Sequence, residues 1–268
     1  MNRLVEIDFI KGCAVITMVI FHVFYLSKWM DIYPFQTQKG MLFLFARFAQ
    51  LVFITTLGIN LVISYQKNQD DEKLFHKKQT KRVLNMILVA TFATTLSYFA
   101  FPDNWVKFGI IHFALVSIFL LQWVAKDEKL IATILFGVLT IEWIKPLLIP
   151  FFQTFFHPFI SFILGIYNFR YNSIDHFSLI PNIAIICGGM LLGWTFYKKA
   201  KRKFKSMDDI IKTIENKLGK NNKFVKFITF LGKYSLWVYV IHYPIVYFLL
   251  LAIKKMVFQP KYNLIEIV

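Results

Sequence analysis

Seven apolar runs, each about long enough to cross a bilayer and each set off by a short charged stretch, constrain this chain more than any other feature. A spanning helix needs about 20 mostly apolar residues for a hydrocarbon core of about 30 Å. Residues 9–29, 41–65, 83–101, 106–125, 128–147, 179–197 and 228–254 meet that requirement. The composition agrees, with 57% hydrophobic and 17% charged residues against about 25% charged in a soluble domain. The expected fold is all-α, a polytopic transmembrane helix bundle of about seven crossings. An eighth apolar piece, 151–167, is shorter and is bracketed by Pro146, Pro150 and His157-Pro158. No linker-like or repeated segment appears, so residues 1–268 read as one domain.

Thirty-one Lys and Arg against 15 Asp and Glu give a net charge of +16. In a soluble chain that surplus would raise the question of nucleic acid. Here it sits in two blocks between apolar runs, which is the pattern of the positive-inside rule and of attraction to anionic lipid. If 9–29 enters from the cytoplasm, loop 66–82 with its six Lys and Arg is cytoplasmic. The second block, 198–226 with eleven, is cytoplasmic too only if 151–167 does not cross. That piece is therefore expected to be re-entrant or interfacial, with the N-terminus inside. Glu6, Asp8 and Lys11 interrupt the N-terminal run, so a cleavable signal is not expected. Cys13 and Cys187 lie in apolar runs and support neither a disulfide framework nor a metal site.

Within the second block, Phe204, Met207, Ile210, Ile211, Ile214 and Leu218 share one helical face. Ser206 and Asp209 resemble a capping box and Gly219 a stop signal. An amphipathic helix near 206–219 is expected, lying on the inner membrane surface or acting as a plain connector.

An ionisable side chain at mid-membrane costs roughly 2.5–3.5 kcal/mol and so needs a reason. Asp8, Lys11, Val15, Met18 and His22 fall on one stripe of the first run. Lys11 and His22, eleven residues apart, return to within about 20° of the same face and stand roughly 16 Å apart along the axis. Read alone, Lys11 snorkels to the interface and His22 bonds a neighbouring helix, or the two serve a cationic mouth with a base deeper in. His112, in Phe108-Gly109-Ile110-Ile111-His112, reads as packed or functional. Ser235, Tyr239 and His242 share a face of the last run, a seam that often only joins helices. Asp175-His176 falls in a loop where solvent exposure is the simplest account. Glu142 and Lys145 are placed to pair with each other. The usual soluble signatures (P-loop, GxGxxG, HExxH, CxxC, a serine elbow) are absent.

Taken in order, these residues resemble the catalytic domain of the heparan-alpha-glucosaminide N-acetyltransferase family in its prokaryotic branch. Glu6-Ile7-Asp8 through His22 is similar to the family's opening helix, EIDFxRGxAxxxMxxxH. Leu57-Gly58-Ile59-Asn60-Leu61 sits at its Gly-x-Ser-Leu-like turn. Phe108 to His112 is similar to FGILH, and Asp175 to Pro181 to DYFPLxPW. Leu231-Gly232-Lys233-Tyr234-Ser235-Leu236 through Tyr239, His242 and Pro244 is similar to LGRxSLxxYxxHxP.

The resemblance implies acyl transfer across a membrane, from cytoplasmic acetyl-CoA as co-substrate to an amine or hydroxyl of a sugar or glycan on the far side. It implies a catalytic histidine, His22, with His112 as a second polar partner. Related membrane O-acyltransferases carry Arg-x10-His in the first helix, and here Lys11 holds the arginine position. Lys11 becomes the donor-phosphate candidate with Asp8 orienting it, while Asp175, Ser235, Tyr239 and His242 stand on the acceptor side or in support. Lys in place of Arg loses the planar fork, and Ser178 and Asn182 depart from the outer element. His22 serves either as general base or as a transient acyl carrier. No metal and no nucleic-acid partner are expected, and a homo-oligomer is compatible with the sequence but not specified by it. The rival readings are a small transporter or flippase without covalent chemistry, and an inactive membrane scaffold.

Overall fold

A computed structural model describes residues 4–169, 172–198, 201–204, 209 and 222–258. The amphipathic helix expected near 206–219 lies outside them, apart from Asp209. The described chain is helical, with one two-residue β-pair, Tyr197–Lys198 (β1) against Lys201–Arg202 (β2), antiparallel. Six helices are long and apolar enough to cross a membrane: Val5–Trp29 (α1), Gly40–Lys67 (α2), Glu72–Ala100 (α3), Glu128–Phe155 (α5), Leu179–Phe196 (α7) and Ser235–Phe258 (α9), α9 by its stretch Ser235–Met256. The chain is a multi-pass membrane protein. Ile110–Leu121 (α4), Pro158–Leu164 (α6) and Lys223–Lys233 (α8) are shorter.

Three expected runs fold differently. Residues 106–125 contain only the 12-residue α4, which rises about 18 Å against a core of about 30 Å. Its start is taken away by Phe108, which pairs with His176 and whose carbonyl accepts the Phe177 N–H at 2.9 Å. Residues 151–155 are not part of a separate segment; they continue α5 through Pro146 and Pro150. Proline is tolerated there because neighbouring groups in a membrane protein can satisfy the freed carbonyls. Next along the chain is α6, begun by Pro158 after the His157 cap and ended at Gly165 with φ 86°; seven residues cannot cross. The run 228–254 is likewise two helices, broken at Tyr234.

The chain forms two compact units. Of the described residues, the first holds Leu4 and 54–209 and the second 5–53 with 222–258, so α2 contributes its first half to the second unit and its second half to the first. In the first unit α5 packs on α7 and α3 on α4. Its core includes Val138, Ile166, Ile180 and Ala184. α2 and α7 meet where Gly58 faces the Ile186 carbonyl and Gly189 the Thr55 carbonyl; a Cβ at either would overlap that oxygen. Small residues at such crossings let helix backbones approach where lipid offers no hydrophobic gain. N-caps are local: Asp71 accepts the Leu74 N–H and Asp127 the Leu130 N–H.

Midway along α5, Glu142 and Lys145 form the expected ion pair at 2.8 Å. Replacing Lys145 alone by Leu leaves a carboxylate without its cation in an apolar helix, a cost of roughly 2.5–3.5 kcal/mol on insertion scales. The Lys145→Leu protein is expected to melt earlier in detergent, and Glu142→Leu/Lys145→Leu to recover most of the loss. Equal melting of the single and double variants would refute the pairing's role.

Candidate functional site

The second unit is built on α1. Its N-terminal half packs on α8, where Gly12 faces the Ile228 carbonyl and Gly232 the Asp8 carbonyl. Residue 228 against 12 and 232 against 8 means that α8 runs counter to α1. After the turn at Tyr234, α9 runs back in the direction of α1, with His242 beside His22 and the Lys254 ammonium donating to the Met30 carbonyl at 2.6 Å. The stretch that reads from sequence as one span is therefore a helical hairpin. Gly232, next to the break, has no side chain to hold the helices apart.

Asp8, Val15 and Met18 of the sequence-predicted stripe are buried. Lys11 pairs with Asp8 at 3.3 Å. Met18 and Ala14 pack with Ala49 and Val52 of α2, and Tyr239 lies against that cluster. On α9, His242, Val246 and Leu250 are buried at i, i+4 and i+8, one helical face.

On that face stands a contact between two imidazoles. His242 Nε2 and His22 Nδ1 are 3.0 Å apart, with ring centroids at 4.9 Å. The Tyr243 ring meets His22 edge-on at 5.5 Å, and Tyr239 lies 5.8 Å from His242. The other His242 nitrogen, Nδ1, donates to the Val238 carbonyl at 3.0 Å. Seven to nine residues beyond His22 on the same chain, a cleft of about 390 Å³ opens, bordered by Trp29, Asp31, Tyr247, Lys254 and Lys255.

His112 and Asp175 belong to the first unit and gather at the start of α4. Asp175 Oδ2 accepts the Ile110 N–H at 3.1 Å, and His112 Nδ1 accepts the Gly109 N–H at 3.3 Å. His112 Nε2 is 3.2 Å from Thr94 Oγ1, which donates to the Val106 carbonyl. Both residues thus serve first-turn donors that a helix leaves without partners. Ser235 is simply the first residue of α9. From sequence, His242 reads as helix glue with no named partner; the sole signal for the pair is a histidine in each of the first and last spans.

His176 is packed rather than solvated, contrary to expectation. Its ring stacks on Phe162 with centroids 3.8 Å apart, Nε2 donates to the Phe162 carbonyl at 3.1 Å, and Nδ1 faces the Tyr167 hydroxyl at 3.3 Å. Burial holds this imidazole below its ordinary titration range. The unfolded chain then takes up the proton first, so the stability that neutral His176 confers is complete above about pH 6.5 and declines as pH falls through the lower folded value. Melting temperature followed from pH 8 to pH 5 is expected to drop more steeply in the wild type than in His176→Phe. Parallel profiles would count against this.

Among the described residues no cluster of three or more His, Cys, Asp or Glu is placed to hold a metal ion. A family model described as heparan-alpha-glucosaminide N-acetyltransferase, catalytic, matches residues 3–244. No curated protein and no solved structure matches the chain.

Proposed function

Because the chain belongs to the heparan-alpha-glucosaminide N-acetyltransferase catalytic family, we propose that it moves an acetyl group across the cell membrane, from cytoplasmic acetyl-CoA to an amine or hydroxyl of an extracytoplasmic sugar or glycan. The observation that carries this reading is the His22–His242 contact on the buried face of α1 and α9. An imidazole pair inside a membrane unit is expensive, and neutral imidazole is the side chain suited to take a proton near pH 7.

In this reading His22 is the general base. The acceptor nitrogen or oxygen attacks the thioester carbonyl while His22 takes its proton; the C–S bond then breaks and the CoA thiolate leaves with the electron pair. Lys11 receives donor phosphate at the cytoplasmic end, roughly 16 Å from His22 along α1, and Asp8 orients it. The acceptor enters at the cleft by Trp29 and Tyr247, where aromatic faces suit a sugar ring and Asp31, Lys254 and Lys255 supply polar contacts. His112 and Asp175 support the fold of the first unit rather than react. The N-terminus and the two basic loops face the cytoplasm, in keeping with their charge. This requires the chain to return across the membrane through residues 106–126, where α4 and the turn after it run along α3 from Thr94 back to His76 and Glu72.

The test is incubation of the purified protein in liposomes with radiolabelled acetyl-CoA and a panel of amino sugars and glycan fragments. Label is expected in the acceptor. A folded protein that neither binds nor consumes acetyl-CoA would move the transporter and scaffold readings ahead. Lys11→Ala is expected to raise KM for acetyl-CoA roughly tenfold, the loss of one charge-assisted contact, with kcat little changed. An unaltered KM would remove Lys11 from the donor site.

A further inference from the structure

We infer that His242 is the positioning residue for His22: it accepts the hydrogen on His22 Nδ1 and so leaves the reactive lone pair on His22 Nε2. The Val238 carbonyl fixes the first hydrogen. It can only accept, so the 3.0 Å contact requires the hydrogen of neutral His242 to sit on Nδ1. His242 Nε2 is then an acceptor, and the atom 3.0 Å from it, His22 Nδ1, must carry a hydrogen. For a neutral pair no other assignment satisfies both contacts.

This is the less populated tautomer of a histidine in water, which favours hydrogen on Nε2. The surroundings therefore select it, much as a metal ligand's tautomer is set by the bond its other nitrogen makes. When His22 Nε2 takes the acceptor's proton, the resulting imidazolium still donates through Nδ1 to His242 Nε2, a bond that favours the charged form. His242 thus acts through His22, and its effect on rate rests on the proposed acyl transfer; the tautomer does not.

The experiment is a long-range proton–nitrogen correlation spectrum of nitrogen-15 histidine-labelled full-length protein in detergent, assigned with single histidine variants. The expected spectrum has His22 and His242 both protonated at Nδ1 and bare at Nε2. His22 protonated at Nε2 in the wild type would overturn the inference without any activity measurement. In His242→Leu, His22 is expected to become a mixture of tautomers, with kcat lowered at least about tenfold and KM changed far less. His242→Gln, whose amide oxygen can accept the same hydrogen, should restore the Nδ1–H form and most of the rate. If His242→Leu leaves both tautomer and kcat intact, His242 has no positioning role. The expected tautomer in a protein that transfers no acetyl group would sustain the positioning geometry and sink the acyltransfer reading instead.

Discussion

His22→Ala is expected to lower kcat for acetyl transfer by about 10²–10⁴, the range a positioned general base contributes, while acetyl-CoA binding changes little. Binding survives in this reading because the donor phosphates are held near Lys11, several turns away. The truncation takes one imidazole from a contact that His242 shares, and a collapsed helix pair would also lower the rate. His22→Gln separates the two causes, since its amide keeps a polar group beside His242 but cannot act as a base near neutral pH. A rate as low in His22→Gln as in His22→Ala, at unchanged melting temperature, is the expected pattern. Wild-type kcat in either variant, in protein that still melts cooperatively, would end the assignment of His22 as the base.

The second large effect is expected at Gly232. A Cβ there would overlap the Asp8 carbonyl oxygen and stand 2.8 Å from the Gly12 nitrogen. Both obstacles are backbone, so no side chain can swing aside and α1 and α8 must separate. Gly232→Ala is expected to destabilise the protein by at least about 1–3 kcal/mol, the usual cost of overpacking. It should also displace Asp8, the partner of Lys11, and so weaken donor binding along with stability. Gly137→Ala is the control: it lies within α5 with nothing within 4 Å of its added Cβ, and helix propensity alone predicts a gain of roughly 0.5–1 kcal/mol. Thermal unfolding of the two variants in one detergent decides the matter. A Gly232→Ala protein as stable as Gly137→Ala would show that the α1–α8 contact is not tight in the membrane.

Run length and charge pattern made the all-helical, membrane-spanning character legible, because a bilayer demands long apolar helices whatever their neighbours. The stripe Asp8, Val15 and Met18 was legible for a related reason: helical periodicity sets which residues share a face before any partner is chosen. The Glu142–Lys145 pair was also readable, being three residues apart on one helix. Periodicity failed where a distant segment intervened. Residues 106–109 look like the start of a span, yet His176 and Phe177 draw Phe108 into an extended pairing. Residues 228–254 look like one apolar run, yet the chain turns at Tyr234.

The sequence by itself determined the class of fold, the basic blocks, the family to which the chain belongs and the apolar spans other than 106–125 and 228–254. Tertiary structure alone decided that His22 meets His242, 220 residues away, and that His112 and Asp175 cap a helix. The reason is physical. In lipid, apolar side chains are nearly as well served by the bilayer as by each other, so hydrophobic pattern says that a helix spans but not which helix it joins. That choice falls to close backbone approach at Gly12 and Gly232 and to polar groups that must find each other.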